Sequence, residues 1–292
     1  MKLLAKFNLI LGLVLGAGLA IAAAVSHQFL LNGAREEVRR QARLMMQAMT
    51  SARDYTTRQI KPLLETQQER QRDFLPQTVP AFAATENFLY LRDKYPDYAY
   101  KEATLNPTNP RDRAVDWEAD IINTFRNRPT GSKELFGERE TPTGPSLYLA
   151  HPLQAAPPCL ECHSTARAAP AAMIRRYGPN NGFGWQPNEI IGAQIVSVPM
   201  AVPIQMANQE FQTLVINLAA VFLASMILLD LVLLVTVVRP LRKLSTMADQ
   251  ISTGQMDIPE LPVSGKDEIA VLAGSFNRMR RSLDRALKML GS

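Results

Sequence analysis

The chain holds two cysteines, and they stand three positions apart in Cys159-Leu160-Glu161-Cys162-His163. That spacing puts both sulfurs on one side of a short turn, with an imidazole directly behind them. C-x-x-C-H is the attachment pattern of c-type haem. Each thiol adds to one vinyl group of the porphyrin, and the adjacent histidine reaches the iron as proximal ligand. Two other chemistries use paired cysteines. A thioredoxin-like redox pair needs a βαβ context and opens a helix after a strand, whereas here Pro157 and Pro158 come immediately before. A zinc site needs four nitrogen or sulfur ligands. Beyond His163 the chain has only His27 and His151, and His27 falls at the end of an apolar run. With two cysteines so close together, a disulfide framework is excluded. The expectation is one covalent haem c, with Cys159 and Cys162 as thioether residues and His163 as proximal iron ligand.

Several residues compete for the other side of the iron. A thiolate is impossible without a third cysteine, and methionine is the usual neutral sulfur ligand. Met45, Met46 and Met49 cluster on a predicted helix, and Met45 and Met49 share a face. Met49 and Met46 are the preferred distal candidates, although methionine more often simply packs a core. His151, eight positions before the motif on a predicted strand, is another candidate. An open sixth position, suited to gas binding, is the third alternative.

Two apolar segments must position this motif. Phe7 to Ser26 carries no charge and is long enough to cross a hydrocarbon core of about 30 Å. Lys2 and Lys6 precede it, which keeps residues 1–6 in the cytoplasm. Ala22, Ala23 and Ala24 leave a cleaved signal peptide as the rival reading, but such peptides have shorter apolar cores; a retained anchor is expected. Leu214 to Val238 is the second span, and Arg239, Arg242 and Lys243 follow it on the cytoplasmic side. Residues 27–213 then lie outside, in the periplasm of a Gram-negative cell, and residues 239–292 inside. Asp230 interrupts the second span; it is either a polar contact that sets helix packing in a dimer or a protonated or snorkelling acid.

The net charge of +5 comes from basic residues spread along the whole chain, some of them flanking the spans, so nucleic-acid binding is not expected. Between the spans, residues 32–65 read as a helix with no proline before Pro62, residues 74–84 as a turn region with Pro76 and Pro80, and residues 81–94 and 115–126 as helices. Tyr98 to Leu105 alternates as a strand, residues 133–139 and 146–153 read as a hairpin, and Ile190 to Val198 as a β-branched strand. This order fits an α+β sensor domain of PAS type.

Three stretches resemble a known family, the PAS-like haem c sensor domains found ahead of HAMP linkers in bacterial receptors. They are Tyr98 to Trp117, the C-x-x-C-H motif, and Tyr177 to Met200, in a likeness covering roughly residues 35–200. The resemblance implies a PAS-like pocket holding one covalent haem through Cys159, Cys162 and His163. Members can take a distal sulfur ligand from the long N-terminal helix; where that ligand is cysteine, this chain departs and offers methionines. Lys101, Arg111 and Arg113 are candidates for pairing with haem propionates. Tyr100, Trp117, Phe183 and Trp185 are candidate pocket walls, with core packing the plainer role.

After Arg239-Pro240, the residues Leu241, Leu244, Ala248 and Ile251 follow heptad spacing. A break from Gly254 to Gly265 holds Pro259 and Pro262. A second heptad then runs through Ile269, Leu272, Phe276, Met279, Leu283 and Ala286. Two short amphipathic helices around such a connector resemble a HAMP domain. Their stripes demand partner helices, so a parallel homodimer is implied. No kinase, cyclase or methyl-accepting segment follows in this sequence, so a separate cytoplasmic partner such as a kinase or cyclase is expected. The reading is a non-enzymatic two-pass inner-membrane sensor whose periplasmic haem detects redox state, through a redox partner, or a diatomic gas. The alternative is a membrane-anchored c-type cytochrome in electron transfer, for which a two-state relay has no use.

Overall fold

A computed structural model describes residues 3–71, 73–127, 133–255, 257–263 and 265–290. It divides into two compact units, residues 28–210 and, together, residues 1–27 and 211–292.

In the first unit, β1 (Ala99–Thr104), β2 (Leu135–Thr141), β3 (Gly144–Gln154) and β4 (Ile190–Pro199) form one sheet in the order β1-β4-β3-β2. All three pairings are antiparallel, and β2 and β3 make the expected hairpin. Alternation along the strands divides the core between two faces. On one face Tyr100, Leu147, Leu149, Val196 and Val198 meet α1 (Leu3–Tyr55) through Val38, Ala42, Met46 and Met49, and α3 (Pro80–Arg92) through Ala84 and Phe88. On the other, Ala103, Ala150, Ala193 and Ile195 meet Ile121, Ile122 and Phe125 of α4 (Asp116–Asn127).

The helix expected over residues 32–65 is longer than predicted and is interrupted. α1 passes into a π-helical turn, Thr56–Ile60, and continues as α2 (Lys61–Gln71). Pro62 falls in the first turn of α2, where its missing N–H matters least. Between β3 and β4 the chain makes one excursion. It carries α5 (Pro157–His163), α6 (Ala171–Tyr177, not foreseen) and a glycine-containing loop. Its base is closed by Ala155 N–H to Glu189 O at 2.8 Å and Asn188 N–H to Ala155 O at 2.9 Å.

Residues 4–66 and 201–252, each running from one unit into the other, include two apolar helices long enough to cross a membrane. The second is built from α7 (Ala201–Leu233), a π-helical turn (Leu234–Val238) and α8 (Arg239–Ser252). Within these spans Asn8 donates its amide to Asp230 Oδ2 at 2.8 Å, so the acid has a partner in its own chain. α9 (Glu268–Leu290) packs on α8 through Leu244, Met247, Ile251, Ala273 and Phe276, with Leu261 of the connector in the same cluster. Met247, not the predicted Ala248, is buried. The heptad position facing α9 is therefore filled by the larger side chain, and Ala248 is exposed.

Candidate functional site

The C-x-x-C-H motif is the helix α5 itself. The two prolines set against a thioredoxin-like pair do not keep the motif out of a helix: they occupy its first turn, after β3. One turn of helix separates Cys159 from Cys162, and His163 closes the last turn. Both thiols are free and half-buried. Burial pushes the Cys162 thiol up from its usual range, and the nearby Lys61 ammonium only partly opposes this. A dithiol redox catalyst needs the opposite, a thiol pulled down toward thiolate. Cys162 packs on an apolar cluster of Phe74, Ala169, Met173, Val79 and Phe183.

His163 is held by the glycine-containing loop that follows α6. Its Nδ1 lies 2.7 Å from the carbonyl oxygen of Gly182, with Thr108 Oγ1 farther off at 3.5 Å. A carbonyl can only accept, so Nδ1 carries the hydrogen and Nε2 keeps a lone pair. Burial lowers the imidazole's pKa, and the Gly182 carbonyl opposes that more weakly. Trp185 stacks on the ring at 4.0 Å and 13°. Main-chain bonds from Gly184 N–H to Ser164 O and from Trp185 N–H to His163 O tie the loop to the end of α5. Gly182 has φ +83°, and a Cβ there would meet Thr108 N at 2.8 Å and Cα at 2.9 Å. Only glycine lets this carbonyl approach the ring.

The donor set fits a c-type haem: two thiols and a neutral imidazole that is hydrogen-bonded at Nδ1, keeps a lone pair on Nε2 and is stacked on one face by Trp185. Among the described residues no group of three or more His, Cys, Asp or Glu side chains is gathered to hold a bare metal ion.

The other predicted residues divide. Phe183 packs beside Cys162, and Trp185 stacks on His163, as expected of site walls. Tyr100 and Trp117 belong to the two sheet cores. Lys101 is engaged by Glu118 at 2.7 Å, and Arg111 by Glu86 at 2.5 Å. Arg113 pairs by its backbone with Thr104. His151 lies beside Glu134 at 3.9 Å, where burial lowers its pKa and Glu134 opposes the shift. Met46 and Met49 are both buried between α1 and the sheet, with Met45 half-buried beside them. Sequence reasoning missed Gly182, Lys61 and Arg53. Arg53 is one turn beyond Met49 and forms an ion pair with the buried Glu102.

Comparison with known proteins gives two family matches. The Tll0287-like family profile covers residues 30–199, and the HAMP domain profile covers residues 232–285. No curated protein matches the chain. One similar solved structure is that of the cyanobacterial haem protein Tll0287, at 14% identity and TM-score 0.35, covering 40% of this chain and 69% of that one. So distant a likeness carries no argument here.

Proposed function

We propose, from the premise that the chain belongs to the Tll0287-like family and carries a HAMP domain, that it is a two-pass inner-membrane receptor with one covalent haem c. Cys159 and Cys162 would hold the porphyrin through thioethers, and His163 would ligate its iron from the proximal side. The bound group would supply a redox-active iron able to hold a further axial ligand. The carrying observation is the His163 imidazole: Nδ1–H is fixed on the Gly182 carbonyl, leaving the Nε2 lone pair for a metal, and both cysteines precede it on the same short helix.

Met49 is the preferred distal ligand, with Met46 the second choice. Both lie on the face of α1 that packs on the sheet. The positive-inside pattern argues for residues 1–6 in the cytoplasm, residues 7–26 and 214–238 as spans, residues 27–213 as the periplasmic haem domain, and residues 239–292 as the cytoplasmic HAMP domain. Within one chain α9 buries Ala270, Ala273 and Phe276, while Leu272, Met279 and Leu283 stay 46%, 57% and 43% exposed. A second copy of the chain would cover that second stripe in a parallel four-helix bundle. The output is a non-enzymatic signal, in response to redox state or a diatomic gas, to a separate cytoplasmic protein.

The test is expression in a host with cytochrome c maturation, followed by acid–acetone extraction. Soret absorbance should stay with the polypeptide and become extractable in Cys159→Ala/Cys162→Ala. Loss of all absorbance from the wild type would end the reading. A potential titration and CO exposure would then separate the stimuli: reversible titration without CO binding favours redox sensing, and CO binding to the reduced protein favours gas sensing. Met49→Ala should abolish any methionine-to-iron charge-transfer band.

A further inference from the structure

A cavity of about 560 Å³ opens beside α4 in the unit formed by residues 28–210. Its walls come from the C-terminal end of α3, from β1, from the turn at residues 110–112, from the start of α4 and from the β2–β3 turn. Cys159, Cys162, His163, Phe183 and Trp185 take no part in its lining, so it is a separate place from the cysteine motif. Pockets for small organic ligands run from about 300 to 1,000 Å³, and this volume falls among them.

The charged side chains around the cavity differ in what they meet. Lys101 is taken by Glu118 at 2.7 Å, and Arg111 by Glu86 at 2.5 Å with Asp112 beside it at 3.6 Å. Arg92 and Arg139 meet no carboxylate among the described residues; Asp97, an exposed acid that also lines the cavity, meets no cation. Arg139 is held in place all the same. Its guanidinium carbon stands 4.2 Å from the centre of the Trp117 ring, and that ring packs in turn against Tyr148 at 5.6 Å. A guanidinium laid over an aromatic face keeps the N–H donors of its edge for a planar anion, which a carboxylate meets with two parallel hydrogen bonds. Leu89, Pro96 and Ile195 add an apolar wall, which suits a ligand with an organic body better than a bare ion.

We propose that this cavity is a second ligand site of the domain, taking a small organic carboxylate whose anionic end pairs with Arg139 on its Trp117 platform. The body of the ligand lies against Leu89, Pro96 and Ile195, and Arg92 adds positive field. Nothing in the site depends on the haem reading, because no residue of the motif takes part. Ile195 and Ser197 of the lining stand on β4, and β4 leads through Met200 into α7. An occupant therefore touches the strand that runs on toward the second span.

The experiment is isothermal titration calorimetry of the full-length protein in detergent. The probes are succinate, propionate and inorganic phosphate, with succinamide as the uncharged control. A carboxylate should bind saturably at millimolar concentration and succinamide should not. Arg139→Gln should weaken that binding about tenfold or more, the usual effect of losing hydrogen bonds to a charged group. Arg139→Lys keeps the charge without the planar fork and should weaken it too, which separates pairing at this residue from net charge; it also stands in if Arg139→Gln fails to fold. Arg40→Gln, on an exposed part of α1, should bind as the wild type does. The Cys159→Ala/Cys162→Ala protein should keep the same affinity, so loss of the haem reading leaves this one standing. Absence of saturable binding by either carboxylate, wild-type affinity in Arg139→Gln, or binding of phosphate alone overturns the proposal.

Discussion

Gly182→Ala is expected to loosen the His163 imidazole through the main chain alone. The residue sits at φ +83°, where an L side chain is strained by about 1–2 kcal/mol. The new methyl would stand 2.0 Å from Thr108 Oγ1, which a χ1 rotation relieves. It would also stand 2.8 Å from Thr108 N and 2.9 Å from Thr108 Cα, which no rotamer relieves. The loop must therefore move, and an overpacked site costs about 1–3 kcal/mol. A total of roughly 2–5 kcal/mol lowers the melting temperature of a domain this size by about 5–15 °C. The Gly182 carbonyl moves with the loop, so the 2.7 Å contact to His163 Nδ1 lengthens. Loss of such an outer partner commonly weakens a metal site about 10–100-fold. The assay is paired: thermal melting, and resonance Raman of the iron–histidine stretch in the haem-loaded protein. Thr108→Ala combined with Gly182→Ala should recover little, since the backbone contacts remain. A Gly182→Ala protein that melts with the wild type and keeps its iron–histidine frequency would refute this account of the loop.

Three further outcomes follow from single contacts. Asn277 donates to Leu261 O at 2.8 Å and accepts from Leu261 N–H at 3.0 Å inside the α8–α9 unit, so Asn277→Ala leaves two buried main-chain groups unpaired. It should destabilise that unit by about 2–4 kcal/mol, read as faster proteolysis of the connector around Pro259. Asp112 has its carboxyl raised from 3.8 to about 6, first by burial and against the pull of Arg111. The folded protein thus binds the proton more tightly than the unfolded chain, and the stabilisation present below pH 3.8 is lost as pH rises through about 6. Asp112→Asn should therefore melt higher than wild type at pH 7, with the gap closing by pH 4, in a series of melts across that range. In the spans, Asn8→Leu or Asp230→Leu alone strands one polar group of the 2.8 Å pair and should lower stability in detergent by about 1 kcal/mol, whereas the double variant should recover it.

What the sequence made legible was local. Cys159, Cys162 and His163 span a single helical turn, so their spacing in the chain nearly is their geometry. The strands at residues 98–105, 146–153 and 190–198 were legible from aromatic and β-branched content between turn signals, although the sheet is covered on both faces and β4 is buried nearly throughout. The prolines were harder to read. Pro157 and Pro158 weigh against a thioredoxin-like pair in the sequence, but proline is at home in a first turn, and α5 begins there. In the HAMP unit one heptad position was misplaced, because two stripes compete on α8 and only the partner helix decides between Met247 and Ala248.

The parts of the site that could not be read are those set by distant pairs. Gly182 meets His163 across 19 positions, and Arg53 meets Glu102 across 49. No periodicity marks either pair, because a carbonyl's partner and a buried charge's partner are fixed by how the excursion between β3 and β4 and the helix α1 dock on the sheet. Composition points the wrong way for the second pair, since an arginine and a glutamate in isolation read as solvated surface. Their burial is informative for that reason. A core that could have been closed with apolar residues instead keeps an ion pair between α1 and β1, and the helix bearing the arginine departs from α geometry within three residues.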